Sequence, residues 1–179
     1  MKILAFSGSL RERSTNTGLI RAAIELGNKA DMQVYLENIS ILPLYNQDME
    51  ANFPKEITEL KKRIREADGI IIATPEFNRS IPGSLKNMFD WTSRPYGDNA
   101  WDGKPVATMG ASPGGIGTAL AQYHLKQILL YLNTRVIGQP EFYVGNSSPK
   151  FDQEGNLTDE KTTQYIEQLL KTFKEFISK

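Results

Sequence analysis

The chain has 179 residues, is 40% hydrophobic, and sets 21 Lys plus Arg against 21 Asp plus Glu, which suits one globular domain over residues 1–179 and gives no basic excess for nucleic acid. It has no cysteine and a single histidine, His124, so disulfides, thiolate metal sites, iron–sulfur clusters and a thiol nucleophile are excluded and no metal site is expected. Side-chain chemistry is scarce, which leaves an organic cofactor to carry any difficult step.

In chain order, residues 3–6 form a short continuous apolar run, the mark of a strand buried on both faces. The run is too short for a signal-peptide core, and no stretch nears the ~20 apolar residues that span a bilayer; a cytoplasmic protein is expected. Residues 7–17 are small and polar, a loop. Leu19, Ile20, Ala23, Ile24 and Gly27 then share one helical face. Residues 32–36 read as a more polar strand near a sheet edge.

A long connection follows through Leu42-Pro43-Leu44-Tyr45-Asn46. Pro54 fits the first turn of a helix carried on by Ile57, Leu60, Ile64 and Ala67 and stopped at Asp68-Gly69. Residues 70–73 are the most strand-like in the chain, β-branched and bounded by Gly69 and Pro75. Pro82 opens a helix whose inner face is Leu85, Met88, Phe89 and Thr92. Trp91 and Trp101 flank a Pro-, Gly-, Asp- and Asn-rich stretch and read as semi-exposed aromatics at a pocket mouth or subunit contact.

Residues 105–109 form a fourth strand ending at Gly110, and a helix spans 118–132. His124, well inside it, reads as a surface or interface residue, not a catalyst. Val136-Ile137 and Phe142-Tyr143-Val144 make one last strand interrupted near Gly138 and Pro140. Thr158 is the expected N-cap of the final helix, whose apolar stripe is Ile166, Leu169, Leu170, Phe173 and Ile177. Five short strands alternating with helices predict a parallel doubly wound α/β sheet. A response-regulator-like or other Rossmann-type domain would share that alternation, so function has to be read from the loops.

Ligands of such sheets bind outside the carboxyl ends of the strands. Three loops leave those ends. Ser7 to Thr17 offers hydroxyls, an amide, a guanidinium and the N–H groups of a helix start, which together suit a phosphate. It is neither a Walker loop nor a G-x-G-x-x-G fingerprint, and a polar connection in which Ser14 or Asn16 merely caps the helix is an equal reading. Thr74 to Ser84 is stiffened by Pro75 and Pro82, with Phe77 as an apolar wall for a flat heterocycle; prolines that only punctuate strand and helix are the competing reading. Gly110 to Gly117 holds four glycines in eight residues, which permit close backbone approach and a nest of N–H groups, or simple flexibility. Together the three suit a flat ligand with a phosphate tail. Glu76 reads as a residue whose backbone matters, or as a partner for a nearby arginine, more readily than as a proton donor.

Gly8-Ser9-Leu10-Arg11 with Ser14 and Asn16, the run from Thr74-Pro75-Glu76-Phe77-Asn78 through Ser80-Ile81-Pro82-Gly83-Ser84-Leu85-Lys86-Asn87 to Asp90-Trp91, and Ser112-Pro113-Gly114-Gly115 resemble the NADPH-dependent FMN reductase family. The resemblance continues through Gln122-Tyr123-His124-Leu125 and Pro140-Glu141-Phe142. It implies a flavodoxin-like three-layer sandwich with a five-stranded parallel sheet of order 2-1-3-4-5 and helices on both faces. It implies non-covalent FMN, NADPH or NADH as hydride donor, and quinones, azo compounds, chromate or free flavin as acceptors. By motif position, Ser9, Arg11, Ser14, Asn16 and Thr17 would hold the phosphate; Pro75, Glu76, Phe77 and Asn78 would line one side of the ring; Ser112, Pro113, Gly114 and Gly115 would approach its other edge. No side chain is expected to be catalytic, since hydride would pass to flavin N5 and on to an acceptor at the same place, a ping-pong scheme. Phe77 departs from the family's usual tyrosine and lacks its hydroxyl.

Arg79 and Arg13 are candidate contacts to the nicotinamide nucleotide's 2′-phosphate, although solvated arginines are the commoner case. The resemblance also implies a homodimer or homotetramer. Two other functions compete: a flavodoxin-type electron carrier without NAD(P)H turnover, against which the absence of a strong acidic charge argues, and a flavin-free regulatory or structural domain, against which the three loops argue.

Overall fold

The computed structural model describes residues 1–179. Its elements are β1 (Lys2–Ser7), α1 (Thr15–Lys29), β2 (Gln33–Glu37), α2 (Lys55–Glu66), β3 (Gly69–Ala73), α3 (Gly83–Thr92), β4 (Pro105–Ala111), α4 (Ala119–Tyr131), β5 (Arg135–Val136), β6 (Tyr143–Val144) and α5 (Glu160–Ile177). The strands are parallel in the order β2-β1-β3-β4-β5, with β6 also on β4. This is the flavodoxin-like order, and β2 is the edge that its polarity predicts.

Alternation along the strands divides the core in two. Ile3, Ala5, Ile71, Ala73, Ala107 and Met109 face α1 and α5, where Leu19, Ile20, Ile166 and Phe173 complete one cluster. Leu4, Phe6, Ile70, Ile72 and Val106 face α2, α3 and α4, meeting Ile64, Leu85, Met88, Leu125 and Leu129. Both faces of the central strands are therefore apolar, as their continuous hydrophobic runs require.

Three local expectations need correction. The last strand is two strands: β5 pairs beside Pro105 and Val106, and β6 beside Gly110 and Ala111. Pro140, which has no N–H to give a ladder, lies in the gap. The N-cap of α5 is Asp159, whose Oδ2 accepts from the Thr162 N–H at 2.8 Å; Thr158 is instead tied back through its own N–H to the Lys150 carbonyl. Trp91 and Trp101 are both 0% exposed and line no mouth. Each indole N–H finds an internal acceptor, the Pro43 carbonyl at 2.7 Å and Thr92 Oγ1 at 2.8 Å, so both rings can be buried whole.

Ser14 is the N-cap of α1, accepting from the Thr17 N–H at 3.3 Å. Asn16 is buried in the first turn, and its amide pairs with the backbone of the last β4 residue: Nδ2 donates to the Ala111 carbonyl at 3.0 Å and Oδ1 accepts the Ala111 N–H at 2.9 Å. Its side chain is thus spent inside the protein, strapping the start of α1 to the end of β4. Asn16→Ala orphans two buried backbone groups and is expected to cost about 2–3 kcal/mol in denaturant unfolding of the flavin-free protein. Asn16→Asp should not restore it, because a carboxylate would face the Ala111 carbonyl; an unchanged midpoint for Asn16→Ala would refute the strap.

Candidate functional site

The order in which the chain lays down strands reverses between β1 and β3, the switch point at which a parallel sheet opens a crevice. A cavity of about 810 Å³ lies there, at the carboxyl ends of the strands, within the range of small-molecule sites. The first loop contributes Ser9, Arg11, Arg13, Ser14, Thr15 and Asn16; the second contributes Pro75, Glu76 and Phe77; the third contributes Ser112 and Pro113.

The first loop is pressed into shape from below. A Cβ on Gly8 would strike the side chains of Leu85 and Pro82, and Ser84 Oγ donates to the Gly8 carbonyl at 2.8 Å. Only glycine allows that approach. Thr15 and Asn16 open α1 on the cavity wall, where the first N–H groups of a helix have no intrahelical acceptor and favour an anion. Ser14 spends a lone pair on the cap but keeps its hydroxyl proton. Arg11 Nη2 donates to the Arg13 carbonyl at 3.2 Å, and Arg13 faces Glu154 at 3.3 Å. Thr17 is not on this wall: its N–H goes to Ser14 and its Oγ1 pairs with Ser7 Oγ at 2.8 Å.

The second loop is a two-residue hairpin. Phe77 and Ser80 exchange both backbone hydrogen bonds at 2.9 Å, with φ of 50° at Asn78 and 64° at Arg79, the paired positive values of a type I′ turn. That turn carries Asn78 and Arg79 to the tip, off the cavity wall. Glu76 does two jobs. Its Oε1 faces Arg79 at 3.2 Å, as its sequence context suggests, while its Oε2 accepts the N–H groups of Leu120 and Ala121 at 3.1 and 3.2 Å. Thr118, the N-cap of α4, supplies no side-chain cap, so the Glu76 carboxylate meets the positive end of that helix instead. Phe77 remains 55% exposed at the mouth. Ser80 Oγ lies 2.6 Å from His124 Nδ1 on the outside, so the lone histidine ties the turn to α4.

The glycines of the third loop divide. Gly110 has no room for a Cβ, which would overlap Thr118 Oγ1 and crowd the Thr74 carbonyl at 2.5 Å. Gly114 and Gly115 lie away from the cavity wall: the Gly114 carbonyl accepts the Asn146 N–H at 3.2 Å, and Gly145 presses on the Gly115 carbonyl. The expected nest is partly consumed internally, since the Gly114 N–H goes to Ser112 Oγ at 3.2 Å and the Gly117 N–H to the Gly114 carbonyl at 3.1 Å.

A fourth wall was not foreseen. Ser147, Ser148, Phe151, Asp152, Gln153 and Gly155 close the cavity from the segment after β6. The rule that found the other loops would have found this one, because it too leaves the carboxyl end of a strand; its signal is the polar run Asn146-Ser147-Ser148. Asp152 Oδ1 organises the turn by accepting the Asn156 and Glu154 N–H groups at 2.8 and 2.9 Å, and the Asn156 bond first of all holds the carboxyl below its usual range. Gly155, at φ 77°, packs its backbone on Arg13, a Cβ on Gly18 would overlap its carbonyl, and Arg21 Nη2 donates to that carbonyl at 3.0 Å.

No group of three or more His, Cys, Asp or Glu side chains comes together as a metal site, and no helix is long and apolar enough to cross a membrane. The model of the NADPH-dependent FMN reductase family matches residues 1–149. A 2-hydroxy-1,4-benzoquinone reductase of a Burkholderia species is 41% identical over 177 residues, covering 99% of this chain and 96% of the relative. A quinone reductase of Escherichia coli K12 is 40% identical over 183 residues, covering 100% and 96%. The solved structure of FerB, a flavoenzyme NAD(P)H:(acceptor) oxidoreductase of Paracoccus denitrificans, superposes with a TM-score of 0.90 at 40% identity, covering 99% and 97% of the two chains. The chain therefore belongs to the NADPH-dependent FMN reductase family, oxidoreductases with FMN as cofactor and NAD(P)H as hydride donor.

Proposed function

We propose that this reductase acts on quinones, with FMN held non-covalently in the four-walled cavity. The observation that carries the reading is one crevice that brings a helix N-terminus and two arginines together with Pro75, Glu76 and Phe77 of the second loop and Ser112 and Pro113 of the third. The donor set fits FMN: helix N–H groups, Ser9, Ser14 and Arg11 suit a phosphate, and Ser147 presents a buried hydroxyl with no partner of its own.

When bound, FMN supplies hydride acceptance and electron release. The protein binds and orients it. Pro75, Glu76 and Phe77 flank one side of the ring through a backbone that the Glu76 carboxylate fastens to α4, and Ser112 and Pro113 meet its other edge. Thr17, Asn78, Gly114 and Gly115 act at one remove: Thr17 and the glycines hold their loops in place, and Asn78 makes the turn that presents Phe77. The exposed Phe77 ring leaves an open mouth at which a nicotinamide and then a quinone can lie in succession. Such an open site also suits azo compounds, chromate or free flavin. The reading against a flavodoxin-type carrier rests on the family and its quinone-reducing relatives.

The proposal extends to assembly and setting. Residues 1–179 act as one domain. The outer face of α4 leaves Leu120, Tyr123, Leu130 and Tyr131 exposed, which supports a homodimer or homotetramer; a monomer mass by light scattering would reject it. The cytoplasm, where NAD(P)H is kept reduced, is the proposed compartment, and cell fractionation tests it.

Anaerobic stopped-flow mixing of the FMN-loaded protein with NADPH, then NADH, is expected to bleach the flavin band near ~450 nm quickly, and a quinone to restore it with ping-pong steady-state kinetics. Bound flavin that neither nucleotide reduces would overturn the enzyme reading. Arg13 on the wall and Arg79 at the turn tip are the proposed 2′-phosphate contacts. Arg13→Ala and Arg79→Ala together should raise KM for NADPH about tenfold and leave KM for NADH nearly unchanged. An unaltered NADPH/NADH preference would remove both residues from that role.

A further inference from the structure

We propose that Ser147 is a flavin-binding residue that recognises the polyol chain between the ring and the phosphate, and that the segment after β6 forms a distinct subsite for it. The inference rests on FMN occupying the cavity as set out above.

Three side chains hold a buried N or O atom without a hydrogen-bond partner: Arg21, Arg63 and Ser147. The arginines are otherwise accounted for, Arg21 through Nη2 to two carbonyls and Arg63 through an ion pair of that same Nε with Glu37 at 2.8 Å. Ser147 has none: its only side-chain polar atom is unspent, and the residue is 1% exposed. Its backbone, by contrast, is committed at both ends. The N–H donates to the Ser112 carbonyl at 3.1 Å, and the carbonyl accepts the Lys150 N–H at 3.0 Å. Ser147 is therefore held in a fixed place on the cavity wall, and its hydroxyl keeps its full donor and acceptor capacity. Burying such a group unpaired is unfavourable, which points to a partner that arrives with the ligand.

Position says which part of the ligand that is. The segment starts against the third loop, through the Ser147–Ser112 bond, and ends against the first, where Gly155 packs on Arg13. It runs from the ring end of the crevice to the phosphate end. The middle of a ring-to-phosphate ligand lies along it, and the middle of FMN is a chain of hydroxyls. A serine hydroxyl can donate to one of these and accept from another.

The test is a fluorescence titration of the flavin-free protein with FMN, riboflavin and lumiflavin, the last being the ring without the polyol chain. Ser147→Ala is expected to weaken FMN and riboflavin alike by about five- to tenfold and to leave lumiflavin unchanged. The thermal midpoint of the flavin-free variant should match that of the parent, and Ser178→Ala, at the end of α5 and off the cavity wall, should change no affinity. An equal loss for lumiflavin, or no loss for any of the three, overturns the proposal; the second result would mean that a fixed water satisfies the hydroxyl. If the parent protein binds no flavin at all, the FMN reading itself falls, a separate result.

Discussion

Burial of the central strands on both faces is the constraint from which the rest follows. The alternating side chains of β1 and β3 point into one apolar cluster or the other, so neither face of the sheet can carry polar chemistry. Polar groups are driven to the strand ends. In a parallel sheet all carboxyl ends lie together, and the β1/β3 reversal opens the crevice among them. The site is where it is because no other part of the sheet can hold it.

The loops around that crevice are fastened by a few polar side chains that reach across the chain. Asn16 links the first loop to the third, Glu76 the second to the start of α4, and Gln122 ties Thr108, Thr118 and the Phe142 carbonyl beneath them. Each satisfies buried or helix-terminal backbone groups that would otherwise be costly. The crevice is thereby set before any ligand enters, which reduces the ordering cost of binding. Close glycine contacts add to this: Gly8 on α3 and Gly18 on Gly155 let loops approach at backbone distance.

Phe77 needs no ring hydroxyl for a local reason. The turn that presents it depends on its backbone bonds to Ser80 and on positive φ at the next two residues, not on a ring hydroxyl. The ring stays exposed and gives the mouth an apolar surface. Arg79 holds a conformation usual for glycine, with Glu76 beside its guanidinium.

The sequence by itself determined the strand–helix alternation, the polar edge strand and three of the four loops at the crevice. These are local signals: apolar runs such as 70–73, helical spacing such as Leu85, Met88 and Phe89, and clusters of Gly, Pro and Ser. Only the tertiary structure decided which of those loop residues face the cavity. Asn16 lines the cavity but spends its amide on Ala111, Thr17 pairs with Ser7, Asn78 sits at the tip of its turn, and Gly114 and Gly115 are exposed beyond the lining residues. It also decided that both tryptophans are buried and that residues 147–155 form a wall. Several of these outcomes depend on a partner far away in the chain, such as Ala111 for Asn16, and side-chain type alone cannot say whether a polar group will spend its hydrogen bonds on the protein or keep them for a ligand.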